Sequence, residues 1–250
     1  MLKTGLVSVT FRKLPPEEIV KLVSKAGLDG IEWGGDIHVP HGDVQKAREV
    51  ARMTQDEGLS IAAYGSYYRV GCEKELNLPF EKVLETAIEL KAPTIRVWAG
   101  NRGSGSSDQS WWNAVIEESR RIASMALKEG ITISYEYHDN TLTDTAESAY
   151  RLLSEVNHEN IRSYWQPPVG LNVEERLEGL NKITPWLSNV HVFYWKLRER
   201  MPLEEGISLW REYMKIIKTV QGTHYCMIEF VKDDEPGQFL KDAEALKRLI

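Results

Sequence analysis

The sequence predicts one (β/α)8 barrel, a TIM barrel of α/β class filling residues 1–250 as a single domain, and three observations carry that prediction. Short β-branched runs alternate with longer amphipathic stretches along the whole length, in eight pairs. The 250 residues match the usual size of such a barrel. No composition break, linker, low-complexity tract or repeat beyond the alternation divides the chain. A doubly wound sheet is the alternative, but that fold usually carries a GxGxxG turn after its first strand. The glycine-rich loop 100–105 follows the fourth strand and lacks that pattern.

Residues 5–11 read as the first strand. Pro15 and Pro16 then open a helix, where proline is tolerated, and Ile19, Leu22 and Val23 face inward until Gly27 closes it. Residues 29–33 form the second strand, followed by the loop GGDIHVPHGD. Asp43 caps the next helix and Gly58 stops it. The third strand is 59–66, its helix 76–90, and the fourth strand 93–99. The loop GNRGSGSSD leads into a long helix over 109–128, ended by Gly130. ITISYEYHDN at 131–140 is the fifth strand and its exit, followed by a helix over 143–156 with Thr143 or Asp144 as cap. Strand 161–166, a helix over 172–183 capped by Asn172, strand 189–194, a helix over 207–220, strand 223–231 and a helix over 236–249 complete the series.

Composition narrows the function. With 42% hydrophobic and 27% charged residues the chain reads as an ordinary globular protein. No apolar run approaches the ~20 residues that span a bilayer, and the N-terminus lacks a signal-peptide pattern. A cytoplasmic protein without a membrane partner is expected. The two cysteines, Cys72 and Cys226, make neither a disulfide framework nor a CxxC zinc site. A net charge of −6 disfavours nucleic acid. A small polar substrate held by a few local Arg or Lys residues remains.

In such barrels chemistry sits at the C-terminal ends of the strands. In the fifth strand Ile131, Ile133 and Tyr135 share one side, while Thr132, Ser134 and Glu136 share the other. The strand ends in order supply Glu32, Tyr64, Trp98, Glu136 with His138, Gln166, His191 and Glu229. A single acid there could simply pair with an arginine such as Arg96. Two carboxylates, an imidazole and an amide oxygen on four consecutive strands instead suit one divalent cation, Mn2+, Mg2+, Co2+ or Zn2+.

GIEWGG at 30–35, SYEYH at 134–138, YWQP at 164–167, NVHVF at 189–193 and MIEF at 227–230 carry a resemblance. The chain resembles the xylose isomerase-like barrel superfamily over its whole length, and specifically the sugar-phosphate isomerase/epimerase branch. The resemblance implies one divalent metal held by Glu, Asp, His and Glu on strands five to eight. Glu136, His191 and Glu229 match three of these positions. Gln166 takes the Asp position, keeping a carbonyl oxygen but removing a charge. It further implies that the metal holds a carbonyl and a neighbouring hydroxyl oxygen, acidifying the hydrogen between them and stabilising an enediolate. Glu136 and Glu229 would be both ligands and acid/base groups. The expected activity is a metal-dependent isomerase or epimerase acting on a sugar or small polyol ketone.

Candidate contacts to a carbohydrate substrate are Glu32, His38, Tyr64, Trp98, His138 and, among the basic residues after strand seven, Arg198. Trp33, Trp165, Trp195 and His41 lie nearby. The superfamily's abasic-site endonucleases need further histidines where this chain has Tyr64, Trp98 and Val169. Ketose 3-epimerases would have an acidic residue near Leu142 and a His at Val169, so the sugar stays unnamed. An inosose-type dehydratase and a carbohydrate-binding barrel without metal are the alternatives. Relatives often form dimers or tetramers, so homo-oligomers are compatible with the resemblance, although no stretch displays an interface.

Overall fold

The structure is a computed structural model describing residues 1–250. Eight strands close into one parallel barrel. They are β1 (Leu2–Val7), β2 (Gly30–Gly34), β3 (Ser60–Arg69), β4 (Thr94–Trp98), β5 (Thr132–Tyr135), β6 (Ile161–Trp165), β7 (Leu187–Val192) and β10 (His224–Ile228), the last pairing with both β7 and β1. Crossover helices cover the outside: α1 (Pro16–Ala26), α2 (Val44–Asp56), α4 (Phe80–Leu90), α5 (Gln109–Lys128), α6 (Ala146–Val156), α7 (Val173–Ile183), α8 (Ile207–Ile217) and α9 (Pro236–Lys247). A short α3 (Glu73–Leu76) precedes α4. No helix is long and apolar enough to cross a membrane.

Alternation along the strands divides the core in two. Outward-facing residues such as Ile31, Ile95, Ile133, Tyr135 and Val190 join the helices in the main apolar cluster. Val7, Val9, Ala62, Ala63, Tyr164, Tyr225 and Met227 form a small separate cluster. A barrel interior is ordinarily filled by bulky aliphatic layers. Here the buried residues of the strands also include Glu32, Arg96, Ser134 and His191. That polar layer is the foundation of the site.

The departures from the expected elements have local causes. β1 stops at Val7, and residues 8–11 form a 3-10 turn, because the Ser8 hydroxyl accepts from the Gly34 amide (2.8 Å) instead of letting the strand continue. The single helix expected over 76–90 is broken: Asn77 takes a left-handed turn (φ 48°), and Pro79 precedes the first residue of α4. The helix expected to start with Thr143 or Asp144 as cap begins at Ala146, where Thr145 and Ser148 make a reciprocal capping box. Thr143 instead donates to the Glu136 carbonyl (2.6 Å). β3 runs on to Arg69 through a register shift between Gly65 and Tyr68. Tyr194 belongs to an antiparallel hairpin, β8 (Tyr194–Lys196) with β9 (Glu199–Met201), which the alternation did not announce.

Candidate active site

His191, inside β7, is the centre of the polar layer. Its Nδ1 lies 3.3 Å from Gln166 Oε1, 3.3 Å from Glu229 Oε2 and 3.9 Å from Glu136 Oε1. These oxygens come from the ends of β6, β10 and β5. Gln166 is oriented by its own amide, whose Nε2 donates to the Tyr137 carbonyl (2.8 Å) and so turns Oε1 toward the imidazole. The other ring nitrogen, Nε2, faces Glu32 Oε2 at 3.5 Å. A carboxylate behind a histidine fixes which nitrogen offers its lone pair forward, an arrangement common behind metal ligands.

Arg96 ties this cluster to the opposite wall. The fully buried guanidinium donates from Nε to Glu32 Oε1 (2.6 Å) and from Nη1 to Glu136 Oε2, and it packs on the Tyr67 ring at 4.7 Å. The Trp98 indole N–H also donates to Glu136 Oε2. Only glycine fits at position 65, since a Cβ there would lie 2.7 Å from both Arg96 Nη2 and Glu32 Oε1. Burial would raise the Glu32 carboxyl, but Arg96 and then His191 outweigh it and hold it at about 2. Burial likewise opposes charge on His191, yet Glu229 and Glu32 prevail and raise it to about 10. Glu229 is lowered, because His191 and Arg96 overcome its own burial.

The ligand atoms of Glu136, His191 and Glu229 all lie within 4.8 Å of one another, and all three residues are buried. This cluster could hold a divalent cation, and the charge count agrees. Arg96 offsets one of the three carboxylates Glu32, Glu136 and Glu229, leaving two negative charges for a cation to balance once His191 is neutral. Hard oxygens with one imidazole do not by themselves select among Mn2+, Mg2+, Co2+ and Zn2+. Above the cluster opens a cavity of about 290 Å³ lined by, among others, Glu136, Glu229, Gln166, Trp98, His138 and Arg12.

A family model for the xylose isomerase-like TIM barrel matches residues 20–249. The chain belongs to the xylose isomerase-like TIM barrel family. Among curated proteins, 3-dehydroshikimate dehydratase of Bacillus anthracis is 26% identical over 268 aligned positions, covering 92% of this chain and 91% of that protein. The crystal structure of the probable 3-DHS dehydratase AsbF, involved in petrobactin synthesis in Bacillus anthracis, is similar with a TM-score of 0.82 and 20% identity, covering 99% of both chains. D-psicose 3-epimerase from Clostridium cellulolyticum H10, solved with D-tagatose, gives a TM-score of 0.77 at 15% identity, covering 99% of this chain and 98% of that one.

Within this xylose isomerase-like barrel the residues singled out in the sequence divide into two groups. Glu136, Gln166, His191 and Glu229 come together. Trp98 and His138 line the cavity above them, stacked with ring centroids 4.6 Å apart. His138 Nδ1 lies 2.8 Å from the Asp139 carbonyl, an oxygen to which it can only donate. Glu32 is sealed beneath the cavity in its pair with Arg96.

The others are engaged elsewhere. Both His38 nitrogens are taken, by Ser8 Oγ (2.9 Å) and the Leu14 carbonyl (3.2 Å), and burial lowers its pKa. The Tyr64 hydroxyl donates to the Val39 carbonyl (2.8 Å), so Tyr64 pins the β2 loop. His41 is held by the Ser66 carbonyl (2.6 Å). Arg198 lies exposed on the hairpin, along an outer groove and not the mouth cavity. Among the cavity residues not named as site candidates from the sequence are Arg12, Tyr67 and Phe230. Parity along β3 could not have found Tyr67, because the register shift next to it and its φ of 56° break the alternation.

Proposed function

We propose that this barrel is a divalent-metal-dependent isomerase or epimerase that removes and returns a proton beside the carbonyl of a small carbohydrate substrate. The observation that carries the reading is the convergence of Glu136, Gln166 and Glu229 oxygens on His191 Nδ1 at the floor of the cavity. These four side chains would hold the cation. When bound it supplies Lewis-acid stabilisation of negative charge developing on a carbonyl oxygen. Glu229 lines the cavity and is our choice for the group that takes the proton. Glu136 has one oxygen committed to Arg96 and Trp98, so it offers only Oε1 forward for ligation or acid/base work. Trp98 and Trp195 border the cavity with faces suited to the C–H faces of a sugar ring.

The first test is elemental analysis of purified protein before and after chelator treatment, followed by proton–deuteron exchange into candidate ketoses in heavy water. About one equivalent of Mn, Co, Zn or Mg, with exchange lost in chelator and restored by metal, supports the reading. A protein that cannot be loaded with any of them ends it in favour of a binding barrel.

The 26% identity to a 3-dehydroshikimate dehydratase favours a second reading. Eliminating water from a cyclic hydroxy ketone begins with the same proton abstraction, and His138 lines the cavity as a further acid/base group. Loss of one water from the product, read by mass spectrometry, separates dehydration from isomerisation.

A further inference from the structure

Beside the mouth cavity lies a second one of about 350 Å³ that no step proposed above uses. The two share Arg12 and Phe230 in their linings. Their charge is opposite in character. The mouth is lined by Glu136, Asp139, Asp144 and Glu229, with Arg12 its only Arg or Lys. The side compartment is lined by three cations, Arg12, Lys13 and Arg200, against the single carboxylate of Asp234.

The chain builds this division deliberately. Phe230, directly after Glu229, has φ 60°, a left-handed conformation that a bulky residue enters only under constraint. Its N–H donates to Thr10 Oγ1 (3.0 Å), which holds the backbone in that turn and leaves the ring in the walls of both cavities. The Arg200 guanidinium packs on the ring at 4.2 Å and pairs with Asp234 through Nη1. Arg12 pairs with Asp36 through Nη1 at 2.5 Å. Each guanidinium has five N–H donors in a planar fork, so one carboxylate partner leaves donors for a second oxyanion.

We propose that this compartment receives an oxyanionic group of the substrate, a phosphate ester or a carboxylate, while the substrate's carbonyl end lies in the mouth over Glu229. The inference rests on the proposed function for where the reacting end sits. It adds the substrate class: an anionic carbonyl compound recognised by Arg12, Lys13 and Arg200. The acidic mouth repels such a group, and the cationic compartment next to it attracts it. Phe230, which both linings share with Arg12, directly follows Glu229 in the chain, so the two spaces adjoin at the proposed proton carrier and one small molecule can reach both.

The test uses the full chain stripped of metal and titrates it calorimetrically with inorganic phosphate and, separately, with acetate. One saturable phosphate or acetate site per chain is expected, weakened tenfold or more in Arg200→Gln and in Lys13→Ala. Lys13 is exposed, so its variant folds even if the Arg200 hairpin is disturbed. Tighter phosphate binding marks a phosphate ester, and tighter acetate binding a carboxylate. Absence of saturable binding of either anion, or equal affinity in wild type, Arg200→Gln and Lys13→Ala, overturns the proposal. Since no turnover or metal is involved, failure here leaves the metal centre standing. A chain that binds phosphate but takes up no metal refutes the proposed function alone.

Discussion

Arg96 Nη1 and the Trp98 indole N–H converge on the same oxygen of Glu136, Oε2. The two glutamates of the candidate centre are therefore unequal. Glu136 is fastened from behind, whereas Glu229 meets His191 and the open cavity. A fastened carboxylate is a precise ligand, and a less encumbered one is the better proton carrier.

Glu229→Gln is expected to lower turnover by roughly 10²–10⁴-fold, the usual contribution of a positioned acid/base group. Its circular dichroism and thermal midpoint should stay near those of the wild type. Exchange of substrate hydrogen with heavy water at the wild-type rate would remove Glu229 from the chemistry.

Arg96→Met leaves Glu32 and Glu136 facing each other in a buried layer without their cation. Stripping one partner from a buried ion pair costs ~3–5 kcal/mol, and urea denaturation should show a loss of that order. Adding Glu32→Gln should recover part of it. A loss under about 1 kcal/mol would mean the charges are not paired as described, given the median effect of ordinary substitutions.

Gln166→Asp replaces the amide whose Oε1 lies 3.3 Å from His191 Nδ1 with a carboxylate on a side chain one methylene shorter. Competition with a fluorescent chelator should show metal binding tightened by about tenfold or more, worth ~1.4 kcal/mol. Unchanged affinity would place residue 166 outside the coordination sphere.

Asp242 supplies a pH-dependent effect far from the centre. It is buried in α9, where Oδ1 accepts from the Leu203 amide (2.9 Å) and Gln238 Nε2 (2.8 Å), and burial raises its pKa. The folded state thus holds this proton more tightly than the unfolded chain. Its contribution is complete below the ordinary Asp pKa of about 3.9 and is lost as pH rises through the raised value. Asp242→Asn keeps an Oδ1 acceptor without charge. It should raise Tm at neutral pH, with the gain shrinking toward pH 4. A gain that is constant with pH would assign the effect to something other than ionisation.

Strand parity made much of this legible. Glu136 shares a side with Ser134, and the same period-2 rule applied to Thr94, Arg96 and Trp98 puts Arg96 and Trp98 inward together. What parity cannot show is whether a polar group is already spoken for. His38 and Tyr64 stand at loop and strand ends that look functional, yet their partners are backbone carbonyls of Leu14 and Val39, more than twenty residues away in sequence. The basic run after β7 was visible, but its direction was set by an unannounced hairpin. There Arg200 lies across from Trp195, and Arg198 is left at the outer edge. The turn at Phe230 has no residue-type signal at all, since glycine is what a left-handed position normally advertises.

The same hairpin carries Leu197 at its tip, 88% exposed with φ 57°. A large aliphatic side chain in water on a left-handed backbone packs against little, so this is where the polypeptide should yield first to a protease. Lys196 and Arg198 flank it, both exposed, which makes trypsin the natural probe. Trp195 and Arg200 of the same short ribbon line the two cavities. The rate of nicking at this one turn is therefore a label-free gauge of occupancy: a molecule seated against those two side chains stiffens the ribbon, and the cut slows.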